Sequence, residues 1–473
     1  MTHISTESAF DETRRGEASF RRALGLTIAT LIVLVAVLTA LNYLQGPRLT
    51  SGRIDTARVV AQPGQQLRLF ANESVSPVKS HQVTITPASP FTVTSAGAVI
   101  AIQFSHQLSY GTHYSVRVGD VVDGAQPQPS TFRYSFTTVG ATVYYLHRAD
   151  PAAGGHQLDS IMQTALHGGR DTVLYSARHI QQFSVFPAAF AVSTLNDDHT
   201  SSLSLVSRSD TSITEHLLLP SPGIVDQLAG TAPSGILGFV FIPQDAPATD
   251  SGTLMTVDLA GSHTVTPVLD INSKPLAVTS WYFLGSTASI VAQEPDQSVL
   301  LLNGSKARTP VPLGNFAALG RSSVDGTTIV VADAVSRMAY SLSTGKQTRL
   351  PSLPLAGSTS FGGDLQLIGS GPSRVQSIAV EDAQNPQIFR SYLVYDTGTD
   401  SRILYEVKKN ETMEGFSVSP NGQYLAVNVI PDYAASVSDR YFQDPQSTTI
   451  TTVFIDIATA STARIVDGFG EIW

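Results

Sequence analysis

One apolar run, Ala23 to Leu44, follows directly on Arg14, Arg15, Arg21 and Arg22. As an α-helix it reaches about 33 Å at 1.5 Å per residue, enough to cross the hydrocarbon core of a bilayer. No second run of this kind occurs in the 473 residues. The run is longer than the apolar core of a secretory signal, and Leu38-Thr39-Ala40-Leu41-Asn42-Tyr43 offers no small-x-small cleavage site. Residues 23–44 therefore read as an uncleaved signal-anchor helix, and the mixed-charge residues 1–22 as a short disordered cytoplasmic tail. Arg48, Arg53 and Arg58 follow the run, so charge alone does not set orientation. The short tail and the character of the long C-terminal part favour a single pass of the plasma membrane, N-terminus cytoplasmic and bulk extracytoplasmic.

A chain of this length exceeds one ordinary core, so two or more domains are expected. Net charge is −9 with only 14% charged residues. No basic stripe interleaved with aromatics exists, which argues against a nucleic-acid partner. Cysteine is absent, which removes disulfides, thiolate metal sites, thiol nucleophiles and lipoprotein processing. Stability must come from hydrophobic burial and sheet pairing. Twenty-three Arg against six Lys suggests a high-GC coding bias and fits an actinobacterial source.

Over residues 50–139 short β-type segments recur about every ten residues. They are Val83–Thr86, Phe91–Thr94, Val99–Phe104, Tyr114–Val118 and Phe132–Thr138, separated by turn residues such as Ser95-Ala96-Gly97. This spacing indicates a β-sandwich. The pattern Ile102-Gln103-Phe104-Ser105, Gly111-Thr112-x-Tyr114-x-Val116-x-Val118, Asp123-Gly124 and Phe136-Thr137-Thr138 resembles bacterial Ig-like domains of the S-layer-protein type. The resemblance implies a spacer or adhesive module without catalytic residues. The strands before Val83 match that pattern poorly. His81, His106 and His113 have no metal-ligand spacing and read as strand-end histidines.

Residues 140–473 repeat a hairpin in which a β-rich strand enters a small polar turn and leaves into another strand. Turns fall near 168, 209, 260, 304, 344, 398 and 458. A second element lies between them: Phe416-Ser417-Val418-Ser419-Pro420-Asn421-Gly422-Gln423-Tyr424-Leu425-Ala426-Val427, with a fair copy at Ser323–Val331. Asn-Gly and Asp-Gly favour the tight turns of antiparallel hairpins. Ser-Pro-Asn-Gly-x-Tyr-Leu-Ala-Val resembles the repeat of TolB-type and related WD40-like propellers. The resemblance implies four-stranded units stacked around an axis. Seven blades are favoured, with six or eight open. The tail Phe469-Gly470-Glu471-Ile472-Trp473 is expected to supply the innermost strand of the first unit, beside Thr142–Leu146. Trp473 reads as core packing. The fold class is thus an all-β extracytoplasmic part: a transmembrane helix, an Ig-like β-sandwich, then a β-propeller.

No G-x-S-x-G elbow, H-E-x-x-H, P-loop or G-x-G-x-x-G follows a strand in this sequence. The expectation is a protein that is not an enzyme and holds no cofactor or metal. In a four-stranded antiparallel unit the loops between second and third strands share one face. They carry Asp150, Asp197, Asp198, Asp245, Asp250, Glu294, Asp296, Asp333, Glu381, Asp382, Asp432, Asp439 and Asp444. The opposite turns carry Arg170, Arg208, Lys306, Lys346, Arg402 and Arg464, diluted by Asp171 and Asp400. The plain reading of the acidic loops is solvated surface; the functional one is a face for a cation or basic partner. The longest loop, Pro431 to Ser447, adds aromatics, and Tyr433, Asp439, Arg440, Tyr441 and Phe442 are the candidate partner-binding residues. The leading expectation is an envelope protein whose propeller binds a protein or cell-wall ligand. The alternatives are a hydrolase or lyase acting on envelope glycans through paired carboxylates, or an extracytoplasmic sensor domain.

Overall fold

The computed structural model describes residues 9–473 except 44–45, 124–127, 150–157, 247–250, 286, 305–308, 352–354, 356–359, 370, 383–384 and 386. The chain forms two compact units: residues 1–59, 64–105 and 113–137, and residues 60–63, 106–112 and 138–473.

A single helix, Ala9–Tyr43, opens the chain. Within it Phe20–Val37 is long and apolar enough to cross a membrane, and none of that stretch is buried. The expected disordered tail is corrected here, because the helix starts well before Ala23; residues 1–8 lie outside the described residues. The reason is local. The sequence from Ala9 to Tyr43 contains no proline that would break the helix before the apolar stretch. Continuity with the apolar helix removes the cost of a separate nucleus.

The first unit contains two antiparallel sheets. One runs Leu49–Arg53, Gln66–Ala71, Val99–Phe104, Phe91–Ala96; the other runs Val83–Thr86, His113–Val121, Ser130–Thr137. Side chains alternate, with Leu67, Leu69, Ile100, Ile102, Val116 and Val118 fully buried, as a period of two dictates for strands with one face on a core. Phe136 meets Phe104 edge-on at 6.4 Å and stacks on Tyr114 at 5.6 Å. Tyr134 lies so close to Gly52 that an added Cβ would stand 2.4 Å from its ring, and its hydroxyl donates to the Gly52 carbonyl at 3.2 Å. The five strands expected from sequence are present. Leu49–Arg53 was not legible because Thr, Ser, Gly and Arg give it no apolar face.

Among the described residues the second unit holds seven sheets, numbered here in chain order, each with four strands in a simple antiparallel order and a fifth strand added to the third. All seven turns read from the sequence join the third and outer strands of these sheets. The two Gly-turn motifs join the first and second strands of sheets 5 and 7, with Gly326 and Gly422 at φ 68° and 71°. In the second motif Ser419, fully buried, donates to Asn421 Oδ1 at 2.9 Å and accepts from the Tyr424 amide at 2.9 Å.

Each sheet packs its apolar face on the next. Ile161 and Phe183 bridge sheets 1 and 2, Leu203 and Phe239 sheets 2 and 3, and Leu254 and Trp281 sheets 3 and 4. Val291 and Val331, Val330 and Leu365, and Leu393 and Leu425 continue the series to sheet 7. Val143 and Phe454 then join sheet 7 to sheet 1, with Trp473 against them. This is the β-propeller arrangement, in which every sheet buries both faces against its neighbours.

Polar side chains add a tie at every junction. Arg208 of sheet 2 donates to the Tyr144 hydroxyl of sheet 1 at 3.0 Å. Gln182 reaches Asp226, Gln227 reaches the Thr279 carbonyl, and Gln293 reaches the Phe316 carbonyl. Arg337 donates to the Gly362 carbonyl, and the Val418 amide donates to Gln366. Arg464 pairs with Asp171 at 2.6 Å across the last junction.

Sheet 1 is completed by the end of the chain. Phe469–Ile472 pairs antiparallel with Thr142–His147 as its innermost strand, Phe469 opposite Leu146 and Ile472 opposite Tyr144. Gly468 leads into it at φ 149°, where a Cβ would stand 2.4 Å from the Leu146 carbonyl oxygen. Gly468→Ala is therefore expected to destabilise the unit by about 1–3 kcal/mol, read as a lowered urea midpoint. Removing residues 469–473 is expected to lower the unfolding midpoint of this unit and broaden its transition.

Candidate functional site

The loop Pro431 to Ser447 leaves sheet 7 and is fastened to sheets 1, 2 and 3 as a strap. The anchor is Arg148, the residue immediately after the strand Thr142–His147. Its Nη1 donates to Asp439 Oδ2 at 2.8 Å and to the Asp444 carbonyl at 2.9 Å. Its Nε and Nη2 donate to the Ile180 and Gln181 carbonyls of sheet 2 at 3.1 and 3.2 Å. The guanidinium also lies over Tyr441 at 4.2 Å and Phe469 at 5.0 Å. Both side chains of the ion pair are buried, at 4% and 2% exposure, so the pair is desolvated and geometrically demanding. A planar fork with five donors fits this set of acceptors; a lysine does not.

Further bonds fix the strap's course. Asp439 Oδ1 accepts the amides of Tyr441 and Gln446 at 3.1 and 3.0 Å. The Tyr441 hydroxyl donates to Asp159 of sheet 1, whose carboxylate also accepts the Ala149 and Ile180 amides. Desolvation first, then the bond to Asp159, pushes the Tyr441 hydroxyl far above its ordinary value. Gln443 donates to the Val225 carbonyl of sheet 3 at 3.3 Å, and Phe442 stacks on His199 at 4.1 Å.

The five candidate residues thus part company. Asp439 is buried and Tyr441 half-buried, and both hold the strap down. Tyr433, Arg440 and Phe442 face outward, with Tyr433 58% and Phe442 61% exposed. Arg148 and Asp159 escape sequence reasoning, because Arg148 stands 291 residues from Asp439 and neither residue sits in a motif.

Beside the closing strand lies a cavity of about 420 Å³, lined by the inner strands of sheets 1, 2 and 3 and by Asp444 of the strap. Glu471 lines it from the closing strand and accepts from Ser417 Oγ and Asn428 Nδ2 of sheet 7.

The acidic loops are largely turn caps. Asp198 accepts from the Thr200 amide and hydroxyl, Asp296 from the Ser298 amide, Asp333 from the Val335 and Ser336 amides, and Asp432 from the Ala434 amide. The bonds from Thr200, Ser298 and Val335, respectively, hold Asp198, Asp296 and Asp333 below their ordinary value. Asp382 pairs with Arg390 at 2.9 Å. Asp150, Asp250 and Lys306 lie outside the described residues. No group of three or more His, Cys, Asp or Glu arranged for a metal ion occurs among the described residues.

A second concavity, about 800 Å³ and mostly apolar, runs along the outer edges of sheets 2 and 3 past Leu217, Leu219, Phe241 and Met255. At its end the His263 ring spans two acceptors, Glu215 at 2.9 Å and the Leu259 carbonyl at 3.0 Å. Only the imidazolium donates from both nitrogens, and the Glu215 bond foremost raises the His263 pKa above 6.5.

No family model matches the chain, and no curated protein matches it. Solved structures do. The β-propeller domain of the Trilobed protease from Pyrococcus furiosus aligns at 10% identity over 72% of this chain and 95% of its own, TM-score 0.42. The Pyrococcus horikoshii acylaminoacyl peptidase aligns at 12% identity over 65% of this chain and 50% of its own, TM-score 0.41. An oligogalacturonate lyase in complex with manganese aligns at 14% identity over 60% of this chain and 87% of its own, TM-score 0.40. The expectation that the chain is not an enzyme is corrected by these likenesses: similar structures include a peptidase and a lyase, so an enzymatic role stands open. At such identity none of them assigns an activity, since one fold hosts many chemistries.

Two outcomes are expected. Arg148→Met should cost about 3–5 kcal/mol because it strands a buried carboxylate, and the double variant with Asp439→Leu should recover only part of that in a urea double-mutant cycle, because the Tyr441 and Gln446 amides lose their acceptor. The His263–Glu215 contribution should be complete below the ordinary histidine value and disappear as pH rises through the raised folded value. His263→Gln should therefore flatten the change in urea midpoint between about pH 6 and 8.

Proposed function

We propose that the chain is a membrane-anchored envelope protein whose strap-bearing propeller face binds a protein or cell-wall ligand. In this reading Ala23–Leu44 is a signal-anchor with its N-terminus cytoplasmic, and the two-sheet unit is an Ig-like spacer. The seven sheets are seven blades. The observation that carries the reading is the strap. Its backbone is pinned through Arg148 and Tyr441, yet Tyr433, Val437 and Phe442 stay more than half exposed. Side chains that are apolar, exposed and held on a rigid base lose little entropy on binding, which is how aromatic anchors act at interfaces.

The absence of cysteine makes the topology testable with single introduced thiols. Val335→Cys, 84% exposed, is expected to react with a membrane-impermeant maleimide on intact cells. A photo-cross-linking side chain at position 442 should trap a ligand in the intact envelope that the same group at Leu218, on the outer rim, does not. Equal capture from both positions, or none from 442, counts against the strap.

A further inference from the structure

In an Asn-Gly pair the asparagine side chain closes readily on the main chain, because glycine has no Cβ to crowd its own amide nitrogen. The sequence holds two such pairs, Asn303-Gly304 and Asn421-Gly422. Both sit at turns of the second unit, and the fold treats them in opposite ways. Asn421 is half-buried and held at both ends of its carboxamide. Its Oδ1 accepts from Ser419 Oγ and from the Gln423 amide at 2.9 and 3.1 Å. Its Nδ2 donates to the Leu108 carbonyl at 3.1 Å and to Gln423 Oε1 at 3.3 Å. The Gly422 amide nitrogen, which would attack in the ring closure, donates to the Ser419 carbonyl at 2.8 Å. A Cβ on Gly422 would stand 2.9 Å from Ile368 Cγ2. Bringing the Asn421 carboxamide carbon onto that nitrogen means breaking these bonds in a crowded place.

Asn303 is the last residue of the strand Ser298–Asn303, where sheet 4 turns out to its outer strand Thr309–Asn315. It is exposed, as is Gly304. Among the described residues nothing lies within 4 Å of the place a Gly304 Cβ would take. We propose that Asn303 is a spontaneous modification site, deamidating through the Gly304 amide in the folded protein while the fold keeps Asn421 intact. Base takes the Gly304 amide proton, and the nitrogen bonds to Asn303 Cγ. The Cγ–Nδ2 bond breaks, and Nδ2 takes up a proton and leaves as ammonia. One water then opens the five-membered imide at either of its carbonyls. One opening leaves aspartate; the other leaves isoaspartate, with the main chain running through the side-chain carbon. Both products add a negative charge at the turn. Isoaspartate also lengthens the main chain by one carbon opposite Thr309, so the change falls on the pairing of the outer strand of sheet 4. Neither the strap nor its ligand enters the proposal.

The test is peptide mapping by mass spectrometry of the full chain in detergent micelles, incubated in warm, mildly alkaline buffer, with a parallel sample unfolded in guanidinium chloride. In the folded protein Asn303 is expected to convert at least about tenfold faster than Asn421, a ratio that about 1.4 kcal/mol of local opening free energy at Asn421 supplies. In guanidinium chloride the two rates should approach each other, because the dipeptide chemistry is the same. Digestion with a protease that cuts at aspartate but not at isoaspartate separates the two products. Asn303→Gln should abolish conversion at that turn, since glutamine would have to close a larger ring, and its unfolding midpoint shows that the variant is native. The proposal is overturned if Asn303 survives in the folded protein over a time in which both residues convert in guanidinium chloride. It is equally overturned if Asn421 converts as fast as Asn303 in the fold, or if their ratio is unchanged by unfolding.

Discussion

The second unit depends on one constraint: its first sheet has its innermost strand only if the two ends of the chain segment meet. Here they meet through a four-residue strand, Phe469–Ile472, laid against Thr142–His147. Few backbone bonds are available in so short a strand, and the surroundings compensate. Trp473 stacks on Tyr424 and meets Phe454 edge-on. Glu471 takes hydrogen bonds from sheet 7, and Arg148 lies over Phe469. The closure is therefore a side-chain structure as much as a sheet ladder, and the strap and the cavity are both built onto it.

The same arginine serves both. By binding carbonyls of sheet 2 and the carboxylate of Asp439 it makes the strap's position a property of the sheet 1–sheet 2 junction. A buried ion pair of this sort is weak evidence for added stability, since a well-packed apolar pair can do as well. Its contribution is geometric: it selects one course for a long loop that leaves sheet 7 with many available.

The architecture was legible where local chemistry dictates it. Asn421-Gly422 and Asp325-Gly326 need positive φ and so announce their hairpins, and the polar turns near 168, 209, 260, 304, 344, 398 and 458 mark the outer strands. Pairing of the tail with Thr142–Leu146 followed from the count of strands per unit. The site was legible only as a long loop. Which of its side chains turn inward depends on Arg148 and Asp159, far away in sequence, so Asp439 and Tyr441 read as exposed when they are anchors. The helix start at Ala9 is not legible, because the mixed charge of residues 9–22 is as compatible with a disordered tail as with a helix.

Closure by Phe469–Ile472 also sets an order of events. The inner edge beside Thr142–His147 is complete only after six further sheets have been made, so until then the nascent chain carries an unpaired strand edge and an open apolar face on Val143. Unpaired edges of that kind template aggregation. A propeller closed in this way therefore stays vulnerable until Phe469–Ile472 has paired with Thr142–His147.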